Sequence, residues 1–191
     1  MRAYLFSIGE STTDIARWSL ERLGYDVVML SHPTTTFYEK YVEFLDFASR
    51  ADDEAVLRCD ADVIATKRLM DLQFLFHNLR DDGMWWIHGQ TYCHLKHDLV
   101  YGGHNFITRE GINIAQRHIR EFERDSRPES RITRAPEMYA PRRFKAVDMV
   151  TGIHGYRQRP QDIARVMAQK ERRGQMPSWD MELLEKMKSL T

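Results

Sequence analysis

The sequence predicts one α/β domain, a mostly parallel sheet flanked by helices. Three observations carry that expectation. A strand–helix–strand unit fills residues 3–30. A later strand-like run, Ala55 to Thr66, is interrupted by two aspartates one residue apart. Amphipathic stretches of helical period alternate with short apolar runs as far as residue 160. At 191 residues the chain can bury a sizeable core as one domain. With 42% hydrophobic and 29% charged residues, its composition excludes a disordered chain.

The elements follow in order. Ala3 to Ile8 reads as a first strand, closed by Gly9, Glu10 and Ser11. Ser11 with Asp14 resembles a helix cap, and Ile15, Ala16, Trp18, Leu20 and Leu23 supply an apolar face up to the stop at Gly24. Asp26 to Leu30 is a second strand. Strand, helix and strand at this spacing form a βαβ unit with a right-handed crossover. Ligands of such sheets lie beyond the carboxyl ends of the strands, which puts Ser7, Gly9, Glu10, Ser31 and His32 near a bound nucleotide. Neither G-x-G-x-x-G nor a P-loop signature occurs.

Thr36 and Glu39 form a capping box that opens a helix with Phe37, Tyr41, Phe44, Leu45 and Ala48 inward. The polar break at Ala51 to Glu54 leads into the run Ala55-Val56-Leu57, then Asp60-Ala61-Asp62, then Val63-Ile64-Ala65. Two carboxylates at the end of a buried strand need a positive partner. Residues i and i+2 of a strand share a face, so a divalent cation can meet both, and Mg²⁺ or Mn²⁺ suits their hard oxygens. Asp60 and Asp62 therefore mark the metal and nucleotide corner of a candidate site.

Lys67 to Leu79 is a helix apolar on most sides, and Asp81 to Gly83 a turn. Met84 to His88 is a strand, and His88, His94, His97 and His104 clustered around it read as a group of solvated histidines. In Asp98 to Thr108 the paired glycines Gly102 and Gly103 mark a bulge or a close approach to ligand. Arg109 to Phe122 is amphipathic, and Glu123 to Ala135 is an Arg-rich surface loop. His154 stands between Gly152 and Gly155, and helices are expected over 161–191.

Charge and cysteines bound the partners. Lys plus Arg and Asp plus Glu number 28 each. The first hundred residues carry 10 basic and 16 acidic side chains, the remainder 18 and 12. An acidic half able to hold a cation thus meets a basic half able to hold phosphates or an anionic acceptor. Cys59 and Cys93 fit no metal or C-x-x-C spacing and read as free thiols of a reducing compartment. No membrane span and no signal peptide are expected, so the expected location is cytoplasmic.

These landmarks together resemble a glycosyltransferase of the GT-A fold, a Rossmann-like, nucleotide-sugar-dependent type with a D-x-D motif. The resemblance runs over residues 3–160 as spaced landmarks: the βαβ unit, the D-x-D, the Gly-Gly segment and the late His-Gly. It implies a nucleoside diphosphate sugar donor, a UDP-sugar first, and Mn²⁺ or Mg²⁺ as cofactor. Carried over, Asp60 faces ribose, sugar or metal, Asp62 is the principal metal ligand, and His154 completes the metal shell. Gly102, Gly103, His104 and Asn105 line the sugar and acceptor cleft. The charge on a leaving diphosphate calls for a cationic clamp, for which Arg157 and Arg159, close to His154 in sequence, are the candidates. Glu137, followed by Met138 where inverting members have Asp, is the first candidate base and Asp148 the second. The resemblance divides the domain into a nucleotide and metal part over 1–80, an acceptor part over 81–160 and closing helices. The acceptor is a glycan, a small molecule or a nucleic acid, and the oligomeric state is open. The competing readings are a haloacid-dehalogenase-like phosphohydrolase using Asp60 and Asp62, and a non-catalytic domain binding nucleic acid or protein.

Overall fold

The structure, a computed structural model, describes residues 1–31, 36–94, 96–123 and 143–155, all within one compact unit, Met1–Tyr156. The expectations placed on His32, Glu137, Arg157, Arg159, the Arg-rich loop beyond 123 and the closing helices lie outside the described residues. The expected strand–helix–strand unit is present as β1 (Arg2–Ser7), α1 (Thr13–Glu21) and β2 (Asp26–Ser31). Then come α2 (Phe37–Arg50), β3 (Ala55–Asp60), β4 (Val63–Ala65) and α3 (Arg68–Arg80). A long hairpin, β5 (Met84–Cys93) and β6 (Asp98–Thr108), precedes α4 (Arg109–His118) and a short 3₁₀ turn, Ile119–Phe122. The last described strand is β7 (Arg143–His154).

These strands form one seven-stranded sheet in the order β2-β1-β3-β6-β5-β7-β4. The fold is α/β as expected, and the sheet is mixed. β1 pairs in parallel with β2 and β3, and β5 with β7. β3–β6, β5–β6 and β4–β7 are antiparallel. The reason is the connection after β5. It is too short for a crossover, so β6 must return beside β5 as a hairpin arm. β5 also runs on through Gly89, Gln90 and Thr91, beyond the strand read from Met84 to His88, because a register shift between His88 and Gln90 absorbs the irregular stretch.

Alternation along β3 sorts the two cores. Val56 joins Tyr4, Phe6, Tyr41, Phe44, Trp86 and Ile107 on the side of α2 and α4. Ala55, Leu57 and Cys59 join Leu5, Leu20, Leu72, Phe76 and Phe106 on the side of α1 and α3. On the first side Phe44 meets Tyr4 at 5.3 Å and Phe6 at 5.5 Å between ring centroids, edge to face. Tyr41 and Phe44 of α2 are thus core, while Phe47 is exposed. The capping box of α2 forms with both reciprocal bonds. The expected cap of α1 at Ser11 does not. Thr12 is the N-cap, makes no side-chain cap bond, and sends its hydroxyl to the Ala61 carbonyl at 2.9 Å.

α4 approaches β5 so closely that a Cβ on Gly111 would stand 1.8 Å from Trp85 Cε3, in a ring that is 1% exposed. Gly111→Ala is expected to lower stability by about 3 kcal/mol, read as a lower urea midpoint at unchanged slope.

Candidate functional site

Asp60 closes β3, and Asp62 sits on the turn between β3 and β4. The Ala61 amide donates to the Phe6 carbonyl at 2.9 Å, so the backbone between them is tied to the end of β1. Asp60 continues the strand alternation and shares a face with Arg58. Arg58 Nη2 donates to Asp60 Oδ1 at 2.5 Å and Nη1 to Oδ2 at 3.1 Å, a two-pronged contact. The guanidinium itself is buried, 4.8 Å from the Phe6 ring centre and 5.5 Å from that of Tyr41. Burial pushes the Asp60 carboxyl up and Arg58 pulls it back. Asp62 raises it further and His154 opposes that, leaving it at about 6.

Asp62 reaches the other end of the chain. Its Oδ2 lies 2.9 Å from His154 Nε2, across 92 residues of sequence. Backbone pairing fixes this approach. Val63 is in register with His154 between β4 and β7, and the Gly155 amide donates to the Asp62 carbonyl at 3.1 Å. On its other flank His154 is in register with Cys93 of β5, and the His94 amide donates to its carbonyl at 3.0 Å. The second ring nitrogen, Nδ1, lies 3.1 Å from Cys93 Sγ. Burial favours the neutral imidazole, but the bonds to Asp62 and Cys93 outweigh it and raise His154 to about 10.

Once a cation displaces the proton between them, Asp62 and His154 would offer one oxygen and one nitrogen at the carboxyl ends of β3 and β7. A divalent cation accepts such a pair and fills its remaining positions with phosphate oxygens and water. Among the described residues no group of three His, Cys, Asp or Glu is arranged to hold a metal ion. Asp60, the expected third member, has both oxygens on Arg58. Asp62 and His154 are thus the two described side chains that could hold a divalent cation, leaving its other positions open.

The loop after β1 is filled from within. Glu10 Oε2 accepts from the Ser7 hydroxyl and the Ile8 amide, both at 2.8 Å. The Gly9 amide donates to Ser7 Oγ at 3.0 Å, and buried Lys40 donates through Nζ to the Ser7 carbonyl at 2.8 Å. Glu10 is near enough to raise Asp60 in turn. Ser31 is exposed at the end of β2.

Gly102 and Gly103 mark a bulge, as expected: between the pairs His88–Asn105 and Gln90–Tyr101, β6 carries more residues than β5. Gly102 and Gly103 take φ of 119° and 86°, so β6 kinks where a side chain would be strained. Beyond the kink His104 is fully buried and Asn105 is 4% exposed, its Oδ1 accepting from Trp86 Nε1 at 3.1 Å. Both side chains are buried, whereas the resemblance has them line an open cleft. The four histidines are not a solvated group. His97 is exposed, while His88 and His94 are half-buried.

His104 Nδ1 lies 3.3 Å from Thr151 Oγ1, and Nε2 has no partner among the described residues. A Cβ on Gly152 would meet Val63 Cγ1 at 2.6 Å and His104 Cε1 at 2.7 Å, so that glycine lets β4, β6 and β7 close over the ring. Burial, assisted by Arg58, pushes His104 down to about 3. The unfolded chain binds the proton first, near pH 6.5, so this contribution is complete above pH 6.5 and fades as pH falls toward 3. At pH 4.5 the loss is about 3 kcal/mol, and His104→Gln should remove that pH dependence in urea titrations at pH 7 and 4.5.

Asp148 is not brought to the Asp62–His154 pair. It precedes His154 by six residues on β7, where register shifts against β5 set it beside Gly89, four β5 residues or about 13 Å from the level of Cys93 and His154, and it is held by Gln90 Nε2 at 3.2 Å and by the Tyr101 hydroxyl. Two residues of the corner were missed in the sequence, Arg58 and Cys93. Arg58 left a signal, since its position two before Asp60 gives it the same strand face. Cys93 left none, because its partner is 61 residues away.

No protein-family model and no curated protein matches the chain. Solved structures do. A glycosyltransferase involved in the glycosylation of the major capsid of PBCV-1 matches with a TM-score of 0.55 at 12% identity, over 92% of this chain and 98% of that one. The protein A197 from STIV matches at 0.53 and 17% identity, over 78% of this chain and 82% of its own. The bifunctional IspDF from Campylobacter jejuni matches at 0.53 and 12% identity over 86% of this chain, which spans about half of that protein, 53%. What is shared at these identities is the fold, the GT-A-like α/β architecture of glycosyltransferases and nucleotidyltransferases. No helix among the described residues is long and apolar enough to cross a membrane.

Proposed function

We propose that this chain is a glycosyltransferase that moves a sugar from a nucleoside diphosphate sugar, a UDP-sugar first, to an acceptor hydroxyl with Mn²⁺ or Mg²⁺ bound. The observation that carries the reading is the 2.9 Å approach of Asp62 to His154, at strand ends where sheets of this kind hold ligands. The fold shared with the PBCV-1 capsid glycosyltransferase supports it. Residues 1–80 serve the donor and residues 81–160 the acceptor, with Glu137 kept as a candidate base and Arg157 as a candidate clamp.

Each residue then has a task. Asp62 and His154 would hold the cation, whose positive charge would stabilise a diphosphate leaving group. Cys93 orients the His154 ring through Nδ1, as outer partners of metal-bound imidazoles do. Arg58 fixes the carboxylate of Asp60 toward ribose and sugar hydroxyls. Ser7, Gly9 and Glu10 border the nucleotide. Of the two candidate bases, Asp148 is the one on a described strand, and it serves the acceptor side.

Nucleotidyl transfer is the second reading the fold permits. It needs free backbone amides after β1 to cradle a triphosphate, and here Glu10 already occupies the Ile8 amide. Its carboxylate, with Asp60 and Asp62, opposes three phosphates. A phosphohydrolase using Asp60 as nucleophile needs a free carboxylate, and Arg58 engages both oxygens.

Thermal-shift screening separates these readings. UDP and UDP-sugars should raise the Tm when Mn²⁺ is present and lose most of that effect in chelator, while CTP and UTP should do no better than UDP. A ligand at about 100 times its Kd stabilises by about 2.7 kcal/mol, which such a scan resolves. Stabilisation by triphosphates alone would replace this reading with nucleotidyl transfer.

A further inference from the structure

Resting on the glycosyltransferase reading, we infer that Tyr101, with Asp148 and Gln90, forms a docking subsite for the pyranose ring of a carbohydrate acceptor. Tyr101 is 53% exposed on β6, and its ring stacks on that of His88 at 5.6 Å between centroids and 17° between planes. The hydroxyl donates to Asp148 Oδ1, which also accepts from Gln90 Nε2 at 3.2 Å. Asp148 Oδ2 takes no hydrogen bond among the described residues. An additional Cβ at neighbouring Gly102 would meet nothing within 4 Å, so the space beside the ring is open.

This set has the chemistry of a sugar site. One face of a pyranose is a row of C–H bonds that packs on an aromatic ring, and its rim is a row of hydroxyls. Asp148 Oδ2 can accept from such a hydroxyl, and the Gln90 amide can both donate and accept. Burial pushes His88 down to about 4, so the ring beneath Tyr101 is neutral and brings no charge to the platform. The exposed carboxylate disfavours a phosphate backbone, which sets a nucleic acid acceptor behind a glycan.

Placement ties the platform to the donor corner. Arg58 is in register with Asn105, and Asn105 with His88, so all three share a sheet face. Two strand spacings separate Arg58 from His88, about 10 Å. Arg58 carries Asp60, so a donor sugar at Asp60 and an acceptor ring on Tyr101 would lie side by side on one face.

The test is saturation-transfer NMR on the full chain without nucleotide. The probes are methyl β-glucoside, methyl β-galactoside, methyl α-mannoside and maltose, each at millimolar concentration. At least one should show saturable transfer, weakened about tenfold by Tyr101→Ala, kept within about threefold by Tyr101→Phe, and weakened by Asp148→Asn. Tyr101→Phe keeps the ring and guards against a folding defect in the alanine variant. The absence of transfer from all four sugars, or equal transfer in wild type and Tyr101→Ala, overturns the subsite. The UDP–Mn²⁺ thermal shift is read on the same samples. Sugar binding that depends on Tyr101, in a protein that no nucleotide stabilises, would support the subsite and overturn the donor reading. A nucleotide shift without sugar binding does the reverse.

Discussion

Replacing Asp62 by asparagine is expected to lower transfer from a UDP-sugar by about 10²- to 10³-fold and to erase the Mn²⁺-dependent part of the nucleotide thermal shift. The substitution keeps the size of the side chain and removes the charge that a cation needs. It also replaces the ionic partner of His154. Their side chains are 17% and 28% exposed, so the metal-free protein should lose only about 1–2 kcal/mol and remain folded. Two readouts are therefore distinct. A urea titration without metal measures the lost contact with His154, and turnover against Mn²⁺ concentration measures the lost ligand. Asp62→Asn with wild-type turnover and wild-type Mn²⁺ dependence would remove the cation from the mechanism.

Arg58→Met should lower stability by about 3 kcal/mol. Methionine fills the gap between Phe6 and Tyr41 but leaves the partly buried Asp60 without the guanidinium that holds both its oxygens. Removing one member of a buried pair leaves the other uncompensated, whereas removing both is far milder. Arg58→Met with Asp60→Asn should therefore recover about 2 kcal/mol of the loss in a double-mutant cycle. Arg58→Lys should not rescue, because an ammonium cannot present two parallel donors to both carboxylate oxygens. Single losses that add in the double variant would show that the contact carries no coupling.

The sequence made some of this visible and hid the rest for physical reasons. The βαβ unit, the capping box of α2 and the strand end at Asp60 are local patterns, and local patterns survive in the fold. The approach of His154 to Asp62 was expected only through the resemblance, and the geometry places the two side chains in contact. Arg58 escaped notice because it sits inside an apolar run, although strand parity already aimed it at Asp60. His104 was misplaced because a histidine beside two glycines reads as exposed, whereas β4 and β7 fold over it. No local pattern could reveal that closure. The three-residue strand β4 follows β3 directly in sequence yet pairs at the opposite edge of the sheet.

That detour of β4 has a kinetic consequence. The short strand gains a neighbour only when β7 arrives, nearly a hundred residues later in the chain. Loop-closure entropy makes so distant a pairing one of the last to form. Refolding should restore the helical signal before the environment of His154 becomes native, and the aspartate corner should be the last part of the molecule to mature.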